Sequence, residues 1–227
     1  MQKHSIALIL RVLARLLSYP DAELRAHLPD LRQALSVENA LAAGSLHQVE
    51  ALIAELEQGD DLEAEETYVK LFDQGRATSL HLFEHVHGDS RDRGPAMIDL
   101  AQTYEAAGLY LKPGELPDYL PALLEFASTQ PPAQAVGFLA ETAHILNALH
   151  SALLERKSAY AALINALLEL SGERTQPVES TPDVPIDASW SEPPTFDGCS
   201  AQGQAKPGGA QPIQFVRTAG NQTRVMQ

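Results

Sequence analysis

The stretch IALILRVLARLL, residues 6–17, decides how the rest of the chain is read. Taken as one apolar block it looks like the core of a signal peptide. Arg11 and Arg15 interrupt it, the uninterrupted apolar run covers only residues 6–10, and no small-residue cleavage site follows. Ile6, Ile9, Leu10, Leu13, Leu16 and Leu17 instead recur at helical spacing. Residues 5–18 are therefore expected to form an amphipathic helix that buries one face against other helices.

Working outward, the same character continues. Leu and Ala dominate, aromatic residues make up 6%, and this favours helix over sheet. Further helices are expected at residues 21–35, 39–57, 60–72, 90–107, 117–128, 133–156 and 159–170. Their stops are Tyr19-Pro20, Gly59, Gly108, Pro131-Pro132 and Gly172. Residues 133–156 and 159–170 read as two helices or as one bent helix. The acidic opening DDLEAEE, residues 60–66, suits a helix N-terminus. Asp89 is expected to cap the helix at 90–107, and Pro117 to open the one at 117–128. Residues 109–116 contain Pro113-Gly114 and read as a turn. No window shows a period-two strand. The expected fold is all-α, a single-domain bundle of about eight helices over residues 1–172.

From residue 173 the composition changes. Seven of the fifteen prolines and five of the fourteen glycines fall in the last 55 residues. Large apolar residues are sparse, too few to offset the entropy of ordering the chain, so residues 173–227 read as a mostly disordered tail. Residues 190–196, which hold the single Trp and a Phe, read equally as a docking clip or as isolated aromatics.

Charge and cysteine usage narrow the function. Formal net charge is −14, and no Lys/Arg patch is present, which excludes wholesale nucleic-acid binding. An acidic body attracts basic partner segments and is repelled by anionic membrane surfaces. The single Cys199 makes no intramolecular disulfide and fits a reducing compartment. No run approaches the ~18 apolar residues of a membrane span. A cytoplasmic protein without membrane insertion is expected.

The polar chemistry concentrates in LHLFEHVHGDSRDRG, residues 80–94, where three of the eight histidines precede a mixed-charge knot. His81, Glu84 and His85 match H-x-x-E-H, an inverted zinc-protease pattern. Glu84-x-x-His87 and Glu141-x-x-His144 together match the paired motif of di-iron bundles. Either would make a metal-dependent enzyme. Both are short motifs, the first segment is brief, and Gly88 cuts it off. There is no phosphate-binding loop, and Cys199 has no histidine near it in sequence. The alternative is a binding module, in which Leu80, Leu82, Phe83 and Val86 hold an apolar helix face and the charged knot orients it. Arg91 and Arg93 would pair with Asp89 and Asp92, or meet an anionic group of a ligand. Binding through histidines would depend on pH near neutrality. The plainest reading is that the knot only caps the following helix and ties down a loop.

The longer run TYVKLFDQGRATSLHLFEHVHGDSRDRGPAMIDLAQTYEAAGL, residues 67–109, closely resembles the redox-enzyme maturation chaperones of the TorD/DmsD/NarJ family. ELPDYLPALLEFAS, residues 115–128, extends the likeness, and the form LFEHVHGDSRDRG points to the nitrate reductase branch. The resemblance implies an all-helical cytoplasmic chaperone with no catalytic turnover and no cofactor of its own. It further implies binding to the N-terminal peptide of the nitrate reductase catalytic subunit. The apoenzyme would then be held until molybdenum cofactor and iron–sulfur insertion, before membrane anchoring, with molybdenum cofactor biosynthesis proteins as further partners. By position in the signature region, His81, Phe83, Glu84, His85, His87, Asp89, Ser90, Arg91 and Arg93 are expected to line or brace the peptide groove. Tyr68, Leu71 and Phe72 would form part of its apolar wall, and Asp118 and Tyr119 a second polar edge.

Overall fold

The computed structural model describes residues 6–38, 40–88 and 90–178. These lie in the first of two compact units, Met1–Asp183; the second, Val184–Gln227, falls outside the described residues, as do Asp89, Cys199 and the aromatic stretch at 190–196.

Helix α1, Ile6–Leu16, forms where the spacing placed it. Ile9, Leu10, Leu13, Leu16 and Leu17 are fully buried, and Val12 and Ala14 join them. Burial on more than one face makes α1 a central helix rather than a surface one. The two arginines that break its apolar run lie off the core: Arg11 donates to Ser128 Oγ at 3.1 Å, and Arg15 pairs with Asp21 at 2.9 Å.

Nine further α-helices follow among the described residues: α2 Ala22–Glu38, α3 Ala43–Gln58, α4 Asp61–Tyr68, α5 Leu82–Val86, α6 Arg93–Ala106, α7 Leu120–Thr129, α8 Pro132–Glu141, α9 Ala143–Glu155 and α10 Ala161–Ser171. The other central helix is α10, whose Leu163, Ile164, Leu167 and Leu168 are fully buried. It packs on α1, α3, α8 and α9, while α1 packs on α2 and α7. The only bridge in extended pairing among the described residues joins His81 to Tyr119.

The expected all-α architecture holds, with ten α-helices among the described residues where about eight were expected. The long helix expected over 133–156 divides at Thr142, whose hydroxyl donates to Leu139 O and competes with the helical ladder. The helix expected over 60–72 ends as a π turn, Val69–Asp73. A 3-10 turn, Arg76–Thr78, follows, pinned by Thr78 Oγ1 donating to Leu71 O and Gly75 O. Pro117 does not open α7. Residues 117–119 run alongside residues 80–82, and α7 begins at Leu120 with Pro121 in its first turn.

Helix α6 begins at Arg93 rather than at residue 90, but it closes as expected. Gly108 N–H bonds Glu105 O at 2.9 Å and Leu109 N–H bonds Tyr104 O at 2.9 Å. Gly108 has φ +80, the left-handed conformation that this double closure requires. Helix α10 ends at the expected stop, Gly172, which has φ +77; residues 173–178 then lie along α9.

Candidate functional site

The site is built where two chain segments 37 residues apart are drawn together. Leu120 N–H donates to Leu80 O at 2.9 Å, and Leu82 N–H donates to Asp118 O at 3.0 Å. These bonds place the start of α5 beside the start of α7. Asp118 lies between them and is completely buried.

A buried carboxylate must find partners in the fold, because none is available from water. Asp118 Oδ2 accepts the Phe83 N–H at 3.2 Å, satisfying a free donor in the first turn of α5. Its Oδ1 is 3.2 Å from His81 Nδ1, so Nδ1 carries the proton. The hydrogen bond to Asp118 holds the His81 pKa above its ordinary value, against the opposing effect of burial, with the charges of Asp118 and Glu84 adding and Arg93 subtracting. Arg93 Nη2 approaches Asp118 Oδ2 at 3.8 Å and Glu84 Oε1 at 3.3 Å. The first residue of α6 is thereby tied to both α5 and the buried acid.

Aromatic residues support this polar centre from beneath. The His81 and Tyr119 rings lie 5.4 Å apart. The Tyr119 and Tyr68 hydroxyls are 3.1 Å apart, and Tyr68 OH donates to Leu17 O at 2.7 Å, linking the site to the end of α1. Burial, and then neighbouring Tyr119, push the Tyr68 phenol far above its ordinary range, so it acts as a neutral donor. On α5, His85 Nε2–H donates to Ser79 O at 2.8 Å. The Phe83 and His87 rings meet edge to face at 5.3 Å. Val86 is 51% exposed on the outer side.

The structure thus brings His81, Phe83, Glu84, His85, His87, Arg93, Asp118 and Tyr119 together. Three groups of expected residues lie differently. Tyr68, Leu71 and Phe72 are buried in the core, with Phe72 edge-on to Tyr160 at 5.1 Å, and do not face outward. Asp118 is not an edge but the centre on which the segment is pinned. Arg93 turns to Glu84 and Asp118 rather than to Asp92, while Ser90 closes a local turn with Asp92 through two 3.2 Å contacts and Arg91 is exposed. Asp89 lies outside the described residues.

The geometry does not assemble either metal motif. His81 points its Nδ1 at Asp118, His85 commits its Nε2 to Ser79 O, and Glu84 pairs with Arg93. Glu141 ends α8 and His144 lies in α9, across the break at Thr142, and both are exposed. Among the described residues no three His, Cys, Asp or Glu side chains cluster as metal ligands would.

Two supporting residues escaped the sequence reading. Ser79 orients His85 and also accepts the His81 N–H at 3.2 Å. Arg76 lies over Gly88, where a Cβ would stand 3.1 Å from its Nη2. The only sequence signal for either is proximity to the histidine run, within the stretch that carries the family resemblance.

The site is thus a polar centre that braces a short helix within an all-α body. Its fold is that of a redox enzyme maturation protein from Archaeoglobus fulgidus, with TM-score 0.54 at 20% identity, covering 76% of this chain and 97% of that one. The chain belongs to the nitrate reductase delta subunit family, whose pattern it matches over residues 17–166. It is 42% identical over 191 residues to the nitrate reductase molybdenum cofactor assembly chaperone NarJ of Escherichia coli K12, covering 80% of this chain and 81% of that one. It is 38% identical over 194 residues to the same organism's NarW, a probable chaperone of the same kind, covering 81% of each. These relatives are assembly chaperones, not catalysts.

Proposed function

We propose that this chain is a cytoplasmic chaperone that binds the N-terminal segment of the nitrate reductase catalytic subunit. It keeps the apoenzyme competent for molybdenum cofactor and iron–sulfur insertion before membrane anchoring. The observation that carries the reading is the kinship with NarJ across four fifths of both chains. The site is consistent with it. Phe83, Val86 and His87 offer an apolar and aromatic ridge on α5, beside Glu84, on a body of net charge −14. That chemistry suits a basic amphipathic helix lying across α5. No described helix is long and apolar enough to cross a membrane. Proteins that synthesise the molybdenum cofactor are further partners in this reading.

Calorimetric titration of the full chain with a peptide from the start of the catalytic subunit tests it, between about pH 6 and 8. Saturable binding at one peptide per chain is expected. Absence of heat and of saturation throughout that range would remove the peptide from the account.

A further inference from the structure

Helix α6 is tied to the body near both of its ends, and the two ties differ in quality. Toward its C-terminal end Tyr104, the single buried residue among its fourteen, donates its hydroxyl to Pro117 O at 2.8 Å. The Tyr104 ring also lies against Phe126 at 4.8 Å. At the N-terminal end the tie is Arg93. One guanidinium nitrogen, Nη2, serves two carboxylates there, Glu84 at 3.3 Å and Asp118 at 3.8 Å. A guanidinium that presents its edge meets a carboxylate through two N–H groups at about 2.7–2.9 Å, so Arg93 takes only part of what these acids offer. The helix start is poorly finished as well. Arg93 puts a positive charge in the first turn, where the helix dipole disfavours it; that turn carries no acid, and Asp92 makes no side-chain cap. Gly94 follows, a weak helix former with nothing within 4 Å of where its Cβ would stand. Each of these loosens the first turn of α6 and leaves the Tyr104 anchor untouched.

We propose that Arg93 is an internal ligand, an autoinhibitory contact that holds the place a cationic side chain of the docked partner segment takes on Glu84 and Asp118. Its displacement lets the first turn of α6 swing on the Tyr104 anchor. This rests on the reading of α5 as the docking surface. Glu84 lies on α5 and Asp118 is buried between α5 and α7, so the exchange happens where the partner segment lies. The incoming cation takes over the charge compensation that a buried carboxylate requires, and no buried acid is left unpaired during the exchange. Arg93 is 28% exposed and Glu84 29%, so a side chain arriving from solvent reaches the pair from the same side. The partner is then read twice. Phe83 and Val86 accept its apolar face, and the two acids test it for a cation. A segment with the right apolar face and no cation lies on α5 with Arg93 in place, and α6 stays shut.

Two titrations of the full chain, followed by NMR at constant ionic strength, test the exchange. One uses the catalytic-subunit peptide and the other methylguanidinium. Arg93→Ala removes the competitor, so it should bind the peptide roughly threefold to tenfold more tightly than the native chain, the size of one partly exposed ion pair. Arg93→Gln, closer in length, should shift affinity the same way, so a folding defect peculiar to alanine does not decide the result. Methylguanidinium at millimolar concentration should bind Arg93→Ala saturably, moving the Phe83 amide and the His81 ring signals, and should move them far less in the native chain. Adding Glu84→Gln to Arg93→Ala should cancel both gains. Weaker peptide binding by both Arg93 variants would overturn the proposal, since a brace or a direct partner contact loses affinity when removed. Absence of a saturable methylguanidinium response in Arg93→Ala would overturn it as well. Failure of the peptide to bind any of these chains, with methylguanidinium still bound by Arg93→Ala, would instead overturn the docking reading and uphold the cation site.

Discussion

Asp118→Asn removes a charge from the centre of the site and leaves its shape. In the native chain Asp118 accepts from His81 Nδ1 and from Phe83 N, both at 3.2 Å, and lies 3.8 Å from Arg93. The amide oxygen can keep the Phe83 bond. The amide NH2 then faces His81, which must change tautomer, and a charge-assisted bond becomes a neutral one at a cost of about 1 kcal/mol. The Arg93 attraction adds roughly 0.5 kcal/mol, because Arg93 is 28% exposed and screened by solvent. The expected loss is therefore about 1–2 kcal/mol near pH 6. The pH dependence has a definite sign. His81 has a raised pKa in the fold, chiefly through its bond to Asp118, so the pair contributes in full below about pH 6.5 and fades as pH rises through that raised value. The deficit of the variant should be largest near pH 6 and should shrink by about pH 8.5. Urea denaturation at both pH values measures it, and NMR titration of the His81 ring should show its midpoint fall toward the ordinary value. Equal deficits at the two pH values, with an unmoved His81 midpoint, would refute the buried acid as the pin of this site.

Four other substitutions test further features of the fold. Gly108→Ala should lower stability by about 1 kcal/mol in thermal melts, since φ is +80 and its Cβ would meet nothing within 4 Å; Gly88→Ala, at φ +51 with Arg76 at 3.1 Å, should cost more. Leu10→Ala, fully buried in α1, should cost about 2–5 kcal/mol in urea unfolding with an unchanged denaturant slope. Tyr68→Phe removes the hydroxyl that joins Leu17 O and Tyr119, and should cost about 1 kcal/mol by the same assay without unfolding the chain.

The elements that sequence made legible are those governed by local spacing. The face of α1 and the closure of α6 at Gly108 are written in a few consecutive residues, and the structure keeps both. What escaped depends on distant partners. Pro117 looked like a helix opener because nothing local shows that residues 117–119 pair with residues 80–82. The same pairing buries Asp118, an acid that reads locally as an exposed edge. Tyr68, Leu71 and Phe72 were placed at a groove wall by their position in the signature run, yet the π turn directs Leu71 and Phe72 into the core. Thr142 broke a helix because its hydroxyl bonds a carbonyl three residues back, a choice that apolar periodicity does not record.

The central claim is that the α5 surface pinned by Asp118 receives the N-terminal segment of the nitrate reductase catalytic subunit. Mapping backbone amide shifts of the full chain while that peptide is added tests it most directly. The account predicts saturable changes centred on residues 81–93 and on Asp118 and Tyr119. Saturable binding with changes confined to α8 and α10, and none at α5, would contradict it.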